Sequence, residues 1–184
     1  MISLVLCATV LAGGSRAAEP AALPKTLSAD DVRAYLAGEG MGLARAAELN
    51  GHPGPKHVLE LASQLGLTPA QQAATENVFA SMHRQAVALG REVVAREGEL
   101  DALFAAVDVD EAALERTLDE IGRLQARLRG VHLRAHLETR HLLTSEQVSA
   151  YDRLRGHRRG GHDAHGSSAG VRDDDPGGEE RGRP

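Results

Sequence analysis

Apolar residues recur at three- and four-residue steps along two long stretches of the sequence, and this periodicity is the strongest constraint on the fold. In the first stretch, about 68–105, these positions are Val78, Met82, Ala86, Leu89, Val93, Leu100 and Leu103. In the second, about 109–141, they are Leu114, Ile121, Leu124, Leu128, Val131, Ala135 and the following Leu142. Each stretch therefore predicts a long helix with one apolar stripe that needs a partner.

The connection between the two long helices is very short. Asp108 is the expected N-cap of the second helix, and Glu111 is placed to return to it as in a capping box. Helices joined by so few residues pack side by side in opposite directions. The sequence thus predicts an all-α fold built on a long antiparallel helical hairpin. A hairpin this thin should leave apolar surface to bury against a second copy, so a homodimer is expected.

Shorter helices are predicted on both sides of the hairpin. Ser28 is the expected N-cap of a helix that ends near Ala37, because an acidic residue lies three positions after it. Three more short helices are expected over 43–49, 57–65 and 144–155, since glycines and prolines separate these segments from their neighbours.

The composition supports this architecture and excludes several function classes. The only aromatic residues are two Phe and two Tyr, and Ala, Leu and Val supply most of the apolar content, which suits helices packed along thin seams. A net charge of -5 and scattered aromatics argue against nucleic-acid binding. The single cysteine, Cys7, lies in the N-terminal apolar run, so the processed chain is expected to form no disulfide and no cysteine-based metal site.

The two ends of the chain are expected to lie outside the folded domain. The apolar run 2–12 has the length of the hydrophobic region of a signal peptide and is too short to span a bilayer, with cleavage expected after Ala17 or Ala18. The alternative is that this run is a buried helix or strand. The resulting division is a signal peptide at 1–17, a linker at 18–26, a helical domain at 27–155 and a disordered His-, Gly- and Asp-rich tail at 156–184.

The same five-residue pattern, L-T-x-x-Q, occurs immediately before each of two predicted helices. The defining residues are Leu67, Thr68 and Gln71 in the first copy and Leu143, Thr144 and Gln147 in the second. In this pattern the Thr hydroxyl accepts from the amide of the third helical residue, and the Gln side chain accepts from the amide of the cap residue. One copy alone indicates only that a helix begins. Two copies, one before and one after a long hairpin, are more specific.

This arrangement resembles the LTxxQ family of periplasmic stress proteins, which includes Spy- and CpxP-like chaperones and CnrX- and ZraP-like heavy-metal resistance proteins. The resemblance covers about 27–155 and rests on the paired motifs, their spacing and the expected export signal. It implies a thin, curved helical dimer in the periplasm of a Gram-negative bacterium. It also implies one of three activities, which are holding unfolded clients without ATP, restraining an envelope-stress sensor, and sensing divalent metals.

A row of basic side chains lies along the second long helix. At about 100° per residue, Arg123, Arg127 and Arg134 fall on one line with His141 and flank the apolar stripe. Positive charge beside exposed apolar surface would hold an unfolded chain through many weak contacts. The alternative is a solvated face paired with acidic residues of the same hairpin.

Four histidines are candidate metal ligands. His132 and His136 are one helical turn apart, so both rings can face one divalent ion, with further ligands from His83, from His57 or from a second subunit. The alternative is that His132 and His136 are two surface histidines of an amphipathic helix. Histidines at 157, 162 and 165 in the tail would bind metal only weakly.

These observations favour a periplasmic, ATP-independent chaperone or envelope-stress adaptor of the Spy/CpxP type. Its expected partners are unfolded or misfolded envelope proteins, with a sensor kinase or an anti-sigma system as further partners, and without stable insertion into the membrane. The alternative is a heavy-metal sensor or resistance protein that takes Zn, Ni, Co or Cu; the chaperone itself would need no cofactor. An enzyme is not expected, because the sequence offers no nucleophile–base constellation, phosphate loop or paired-carboxylate site.

Overall fold

The computed structural model describes residues 23–156. The predicted signal peptide, most of the predicted linker and the tail beyond Gly156 lie outside these described residues. Six helices occur in this range: α1 (Ala29–Leu36), α2 (Arg45–Glu48), α3 (Pro55–Glu60), α4 (Pro69–Ala105), α5 (Glu111–Leu142) and α6 (Ser145–Leu154). No strand occurs between residues 23 and 156, so the predicted all-α class is confirmed.

Helices α4 and α5 form the long hairpin, and its seam is the main core. The buried residues of this seam are Met82, Ala86, Leu89 and Val93 on α4 and Leu124, Leu128, Val131 and Ala135 on α5. All eight belong to the apolar stripes expected from the sequence. Helix α1 lies across α4 at Gly90, where an added Cβ would overlap the carbonyl oxygen of Tyr35. A glycine that weakens an isolated helix therefore permits close packing of two helices here.

The ends of three elements differ from the sequence prediction. Helix α2 was expected over 43–49, but it covers only Arg45–Glu48. Helix α5 is capped by Asp110 and not by Asp108, because the Asp110 side chain accepts from the amides of Ala112 and Ala113 at 3.0 and 3.3 Å. Helix α3 was expected over 57–65, but it runs from Pro55 to Glu60 and is followed by turns as far as Gly66.

The turns after α3 help to build a second core at the open end of the hairpin. This cluster contains Val58, Leu65, Leu143, Val148 and Tyr151. Leu143 and Val148, the expected staple pair of the second motif, are both buried in it. The cluster packs α3 and α6 together beside the hairpin ends. Within the part of the chain that the structure describes, no helix is both long and apolar enough to cross a membrane.

Candidate metal-binding cavity

A cavity of about 740 Å³ lies between the hairpin and the short N-terminal helices. Its walls come from the loop 37–42, from α2 and α3, and from the facing sides of α4 and α5. All four histidines expected as metal ligands line it: His57, His83, His132 and His136. The sequence could not show that these four residues, which lie on three helices, meet at one cavity.

His136 is held in one orientation by the segment before α3. Its Nδ1 donates to the carbonyl oxygen of His52 at 2.7 Å, so its Nε2 carries the lone pair. A Cβ added at Gly54 would lie 2.8 Å from both Cε1 and Nε2 of the ring. Glycine at position 54 therefore leaves room for the His136 ring in this orientation, which a larger residue would not. Metal-bound histidines in proteins usually donate their other ring N–H to a carbonyl or carboxylate in this way.

His132 lies one turn earlier on α5 and is only 3% exposed. Its Nε2 is buried and has no hydrogen-bond partner. An unpartnered buried polar atom costs about 1–3 kcal/mol, so it calls for an explanation such as a bound water, a bound ion or a functional role. The alternative interpretation of His132 and His136 as surface histidines is wrong, because both rings are buried (His136 is 8% exposed).

Burial favours the neutral form of both imidazoles. Desolvation lowers the pKa of His132, and the charge of nearby His136 lowers it further. Desolvation also lowers the pKa of His136, although its hydrogen bond to His52 and the carboxylate of Glu48 act in the opposite direction. Neutral imidazole is the form that binds metals, so both side chains are in the ligand state at neutral pH.

The other two histidines also use one ring nitrogen in a hydrogen bond and leave the second free to act as a ligand. His57 Nδ1 donates to the carboxylate of Glu60 at 2.8 Å. His83 Nε2 donates to the carbonyl oxygen of Ala37 at 3.0 Å. Such partners fix the tautomer and the orientation of a ligating ring.

The four histidines share the cavity without forming a finished coordination sphere. Among residues 23–156, no three side chains of the His, Cys, Asp and Glu types are arranged so that they could hold one metal ion. An ion would therefore be held by fewer of these side chains, by donors of another type, or after the walls of the cavity move together.

The two L-T-x-x-Q motifs meet at the open end of the hairpin. Both capping boxes are formed as expected. In addition, Gln71 Nε2 donates to Gln147 Oε1 at 2.9 Å, and Gln147 Nε2 donates to Gln71 Oε1 at 3.1 Å. Gln71 also donates to the carbonyl oxygen of Leu142. This reciprocal amide pair ties α4 to α6, and sequence analysis missed it because the pattern describes each helix start separately.

A buried tyrosine of α6, Tyr151, connects this helix to the wall of the cavity. Tyr151 donates its hydroxyl to Glu48 at 2.7 Å, and Arg155 approaches the same carboxylate at 3.5 Å. Burial raises the pKa of Glu48, but the hydrogen bond from Tyr151 and nearby positive charges outweigh it, so the pKa lies below its usual value. Glu48 is therefore an anion fixed at the wall of the cavity.

The expected basic strip is exposed, but the apolar surface beside it is not. Arg127 and Arg134 are exposed and make no ion pair with the described residues, whereas Arg123 pairs with Asp119 at 3.0 Å. The adjacent stripe, which the client-binding hypothesis requires to be exposed, is buried against α4: Ile121, Leu124, Leu128 and Val131 are at most 7% exposed. That part of the client-binding hypothesis is wrong, because the hairpin uses the stripe for its own core.

The fold defines an all-helical protein built on a hairpin, with a histidine-lined cavity beside the hairpin. A family model described as heavy-metal resistance matches residues 34–150, well over half of the chain. The chain therefore belongs to the heavy-metal resistance family, and the resemblance to LTxxQ proteins is confirmed. No curated protein matches the chain significantly, and no solved structure does either.

Proposed function

We propose that this protein binds a transition-metal ion in the histidine-lined cavity and acts in the response to metal stress. The observation that carries the proposal is the convergence of His57, His83, His132 and His136 on one cavity. His132 and His136 are buried there in an environment that favours the neutral ring. The family match is compatible with this function, and equally with the holding of unfolded clients.

Metal binding would change the conformation of the protein if the walls of the cavity move, and such a change could be recognised by a partner. The ligand side chains belong to α3, α4 and α5, and they do not form a group of three in the described structure. An ion that draws them together shifts α3 relative to the hairpin, because a ligand stabilises the arrangement that it binds best. The proposal includes export to the periplasm, for which the apolar run 2–12 is the support, and action by binding rather than by catalysis.

Calorimetric titration with Zn(II), Ni(II) and Co(II) tests the proposal. The protein is the full chain with the tail histidines at 157, 162 and 165 replaced by Asn, so that the tail does not contribute. His132→Asn and His136→Asn should each weaken binding by about 10- to 100-fold. His141→Asn is the matched control, because His141 lies on the same helix but is exposed and does not line the cavity. Equal affinity of all three variants and the parent would refute the proposal.

Holding of unfolded clients is the second candidate function. Its support is the exposed pair Arg127 and Arg134, which have no acidic partner among residues 23–156, together with Leu137, one turn from Arg134, which is 47% exposed. Such a surface suits weak, reversible contacts with an acidic or apolar chain. Because most of the stripe is buried, client contact would depend on charge more than on apolar area.

Suppression of aggregation in the presence of EDTA tests this second function. A denatured client is diluted into the protein, and light scattering is followed with the parent and with the double variant Arg127→Glu/Arg134→Glu. Loss of suppression with unchanged helicity is expected. Arg33→Glu is the control, since Arg33 is exposed on α1, away from the strip. If the double variant suppresses aggregation as well as the parent does, the strip is not the client surface.

A further inference from the structure

The cavity beside the hairpin is much larger than one metal ion requires. Its volume of about 740 Å³ lies within the range of about 300–1,000 Å³ that is usual for pockets that bind small organic molecules. A bound ion would occupy only a small part of this volume beside the histidines. The side chains around the remaining space indicate which chemical class of organic ligand the cavity suits.

The lining of the cavity exposes apolar side chains to water. Met41, in the loop 37–42, is 40% exposed, and Leu49, which follows α2, is 53% exposed. On α4, Phe79 is half-buried and Met82 is buried, and both also line the cavity. Apolar surface gathered in a concave site is typical of pockets for organic ligands, because a ligand that covers this surface removes it from water. The ligand should therefore have an apolar body.

The backbone conformation of Met41 supports a role for its side chain at this site. Its φ is +44°, and no other residue except glycine has a positive φ between residues 23 and 156. This conformation is unfavourable for a residue with a long side chain, and strained residues of this kind are often found at ligand-binding sites. The loop thus tolerates an unfavourable backbone conformation while it holds an apolar side chain at the wall of the cavity.

Two exposed basic side chains of the lining have no acidic partner within the part of the chain that the structure describes. They are Arg45 on α2 and Lys56 on α3. Arg155 also lines the cavity, but it lies 3.5 Å from the Glu48 carboxylate, so these two charges offset each other. The lining contains one further carboxylate, that of Glu39. Two positive charges therefore remain against one negative charge, which favours a ligand with an anionic group.

We propose that the cavity binds a small organic anion that has one apolar chain and one negatively charged head group. The chain packs against Met41, Leu49 and Phe79, and the head group pairs with Arg45 and Lys56. Octanoate is a simple probe of this chemical class. The inference does not depend on metal binding, because none of these five side chains is among the four histidines proposed as metal ligands.

Calorimetric titration of the full chain with octanoate in the presence of EDTA tests the inference, and 1-octanol is the matched probe because it has the same chain length without the charge. The double variant Arg45→Gln/Lys56→Gln should weaken octanoate binding by roughly 3- to 10-fold, since two exposed charge pairs are lost. It should leave octanol binding unchanged. Leu49→Ser should weaken the binding of both probes, because it removes apolar contact area.

Arg153→Gln is the control variant, because Arg153 is exposed on α6 and does not line the cavity. The side chains replaced in the other variants, those of Arg45, Lys56 and Leu49, are also exposed, so all variants should fold as the parent does. Circular dichroism checks this.

Octanoate binding that depends on Arg45 and Lys56, together with octanol binding that does not, supports the inference. Absence of octanoate binding, or octanoate binding that neither the double variant nor Leu49→Ser changes, overturns it. Vesicles of phosphatidylglycerol are a separate probe, because their surface presents the same chemistry. Binding to vesicles without binding to octanoate also overturns the inference, since it indicates a membrane surface as the partner. Titration with metal ions is a separate measurement, so none of these outcomes decides the proposed metal-binding function.

Discussion

Gly54→Ala should impair metal binding because the added methyl group displaces the imidazole ring of His136. Gly54 has φ -81° and ψ 145°, a conformation that alanine adopts without strain. The added Cβ would lie 2.8 Å from Cε1 and Nε2 of His136. Carbon atoms in contact normally stand about 3.5–4.0 Å apart, so the ring must move by roughly 0.7 Å or more.

A movement of this size is large for a metal ligand. Metal–nitrogen distances vary by only about ±0.2 Å around their usual value, so the displaced ring loses its place in the coordination sphere. The hydrogen bond from His136 to His52 is also strained, which should lower the stability of the metal-free protein by about 0.5–1.5 kcal/mol. If His136 is a ligand, metal affinity should fall by about 10- to 100-fold.

Titration calorimetry measures the affinity, and long-range ¹H–¹⁵N spectra of the imidazoles report whether the His136 hydrogen bond is altered. Gly40→Ala is the matched control. Gly40 lines the same cavity, but a Cβ there has no neighbour within 4 Å. Parent-like affinity of Gly54→Ala, despite a displaced His136 signal, would show that His136 is not a ligand. An equal loss in Gly40→Ala would show that the effect does not act through the ring.

Three further substitutions test the helix packing and the electrostatics of the fold. Gly98→Ala should stabilise the protein by up to about 1 kcal/mol through helix propensity, because the added Cβ has no neighbour within 4 Å. Gly90→Ala should destabilise it by about 1–2 kcal/mol, because the added Cβ overlaps the carbonyl oxygen of Tyr35. Thermal melts measure both changes, and stabilisation by Gly90→Ala would contradict the α1–α4 contact. The folded-state pKa of Glu48 lies below its usual 4.5, so this group contributes stability that is present above pH 4.5 and lost as the pH falls through the folded value. Glu48→Gln, which retains an acceptor for Tyr151, should therefore flatten the stability–pH curve below pH 4.5, and an unchanged curve would refute the assignment.

Sequence periodicity predicted the hairpin well because helix–helix packing depends on which residues share a face. The eight residues of the main seam all recur at three- and four-residue steps, and the capping boxes at Thr68 and Thr144 mark helix starts through contacts within four residues. Features governed by local chemistry are thus accessible from sequence. The misplaced cap of α5 is a small failure of the same kind, since Asp108 and Asp110 are both good N-caps and the loop geometry decides between them.

The cavity was not accessible in this way because its parts are distant in sequence. The spacing of His132 and His136 predicts that they share a face of α5, but not that this face is buried. For His136, burial involves the segment before α3, where His52 supplies the carbonyl acceptor and Gly54 lies against the ring. Met41 is a stronger example, because a methionine in a glycine-rich loop gives no sequence signal, and its position at the cavity follows only from the folded path of that loop.

The contact between the two L-T-x-x-Q motifs connects the helix starts, which the sequence predicts, to the cavity, which it does not predict. Each glutamine closes its own capping box and also bonds the other glutamine, so the starts of α4 and α6 are fixed relative to one another. Helix α6 in turn carries Tyr151, which binds Glu48 at the cavity wall. The L-T-x-x-Q pattern by itself requires only that a helix begins. In this fold it also fixes the position of α6, and α6 in turn holds Glu48, one of the two carboxylates that line the cavity.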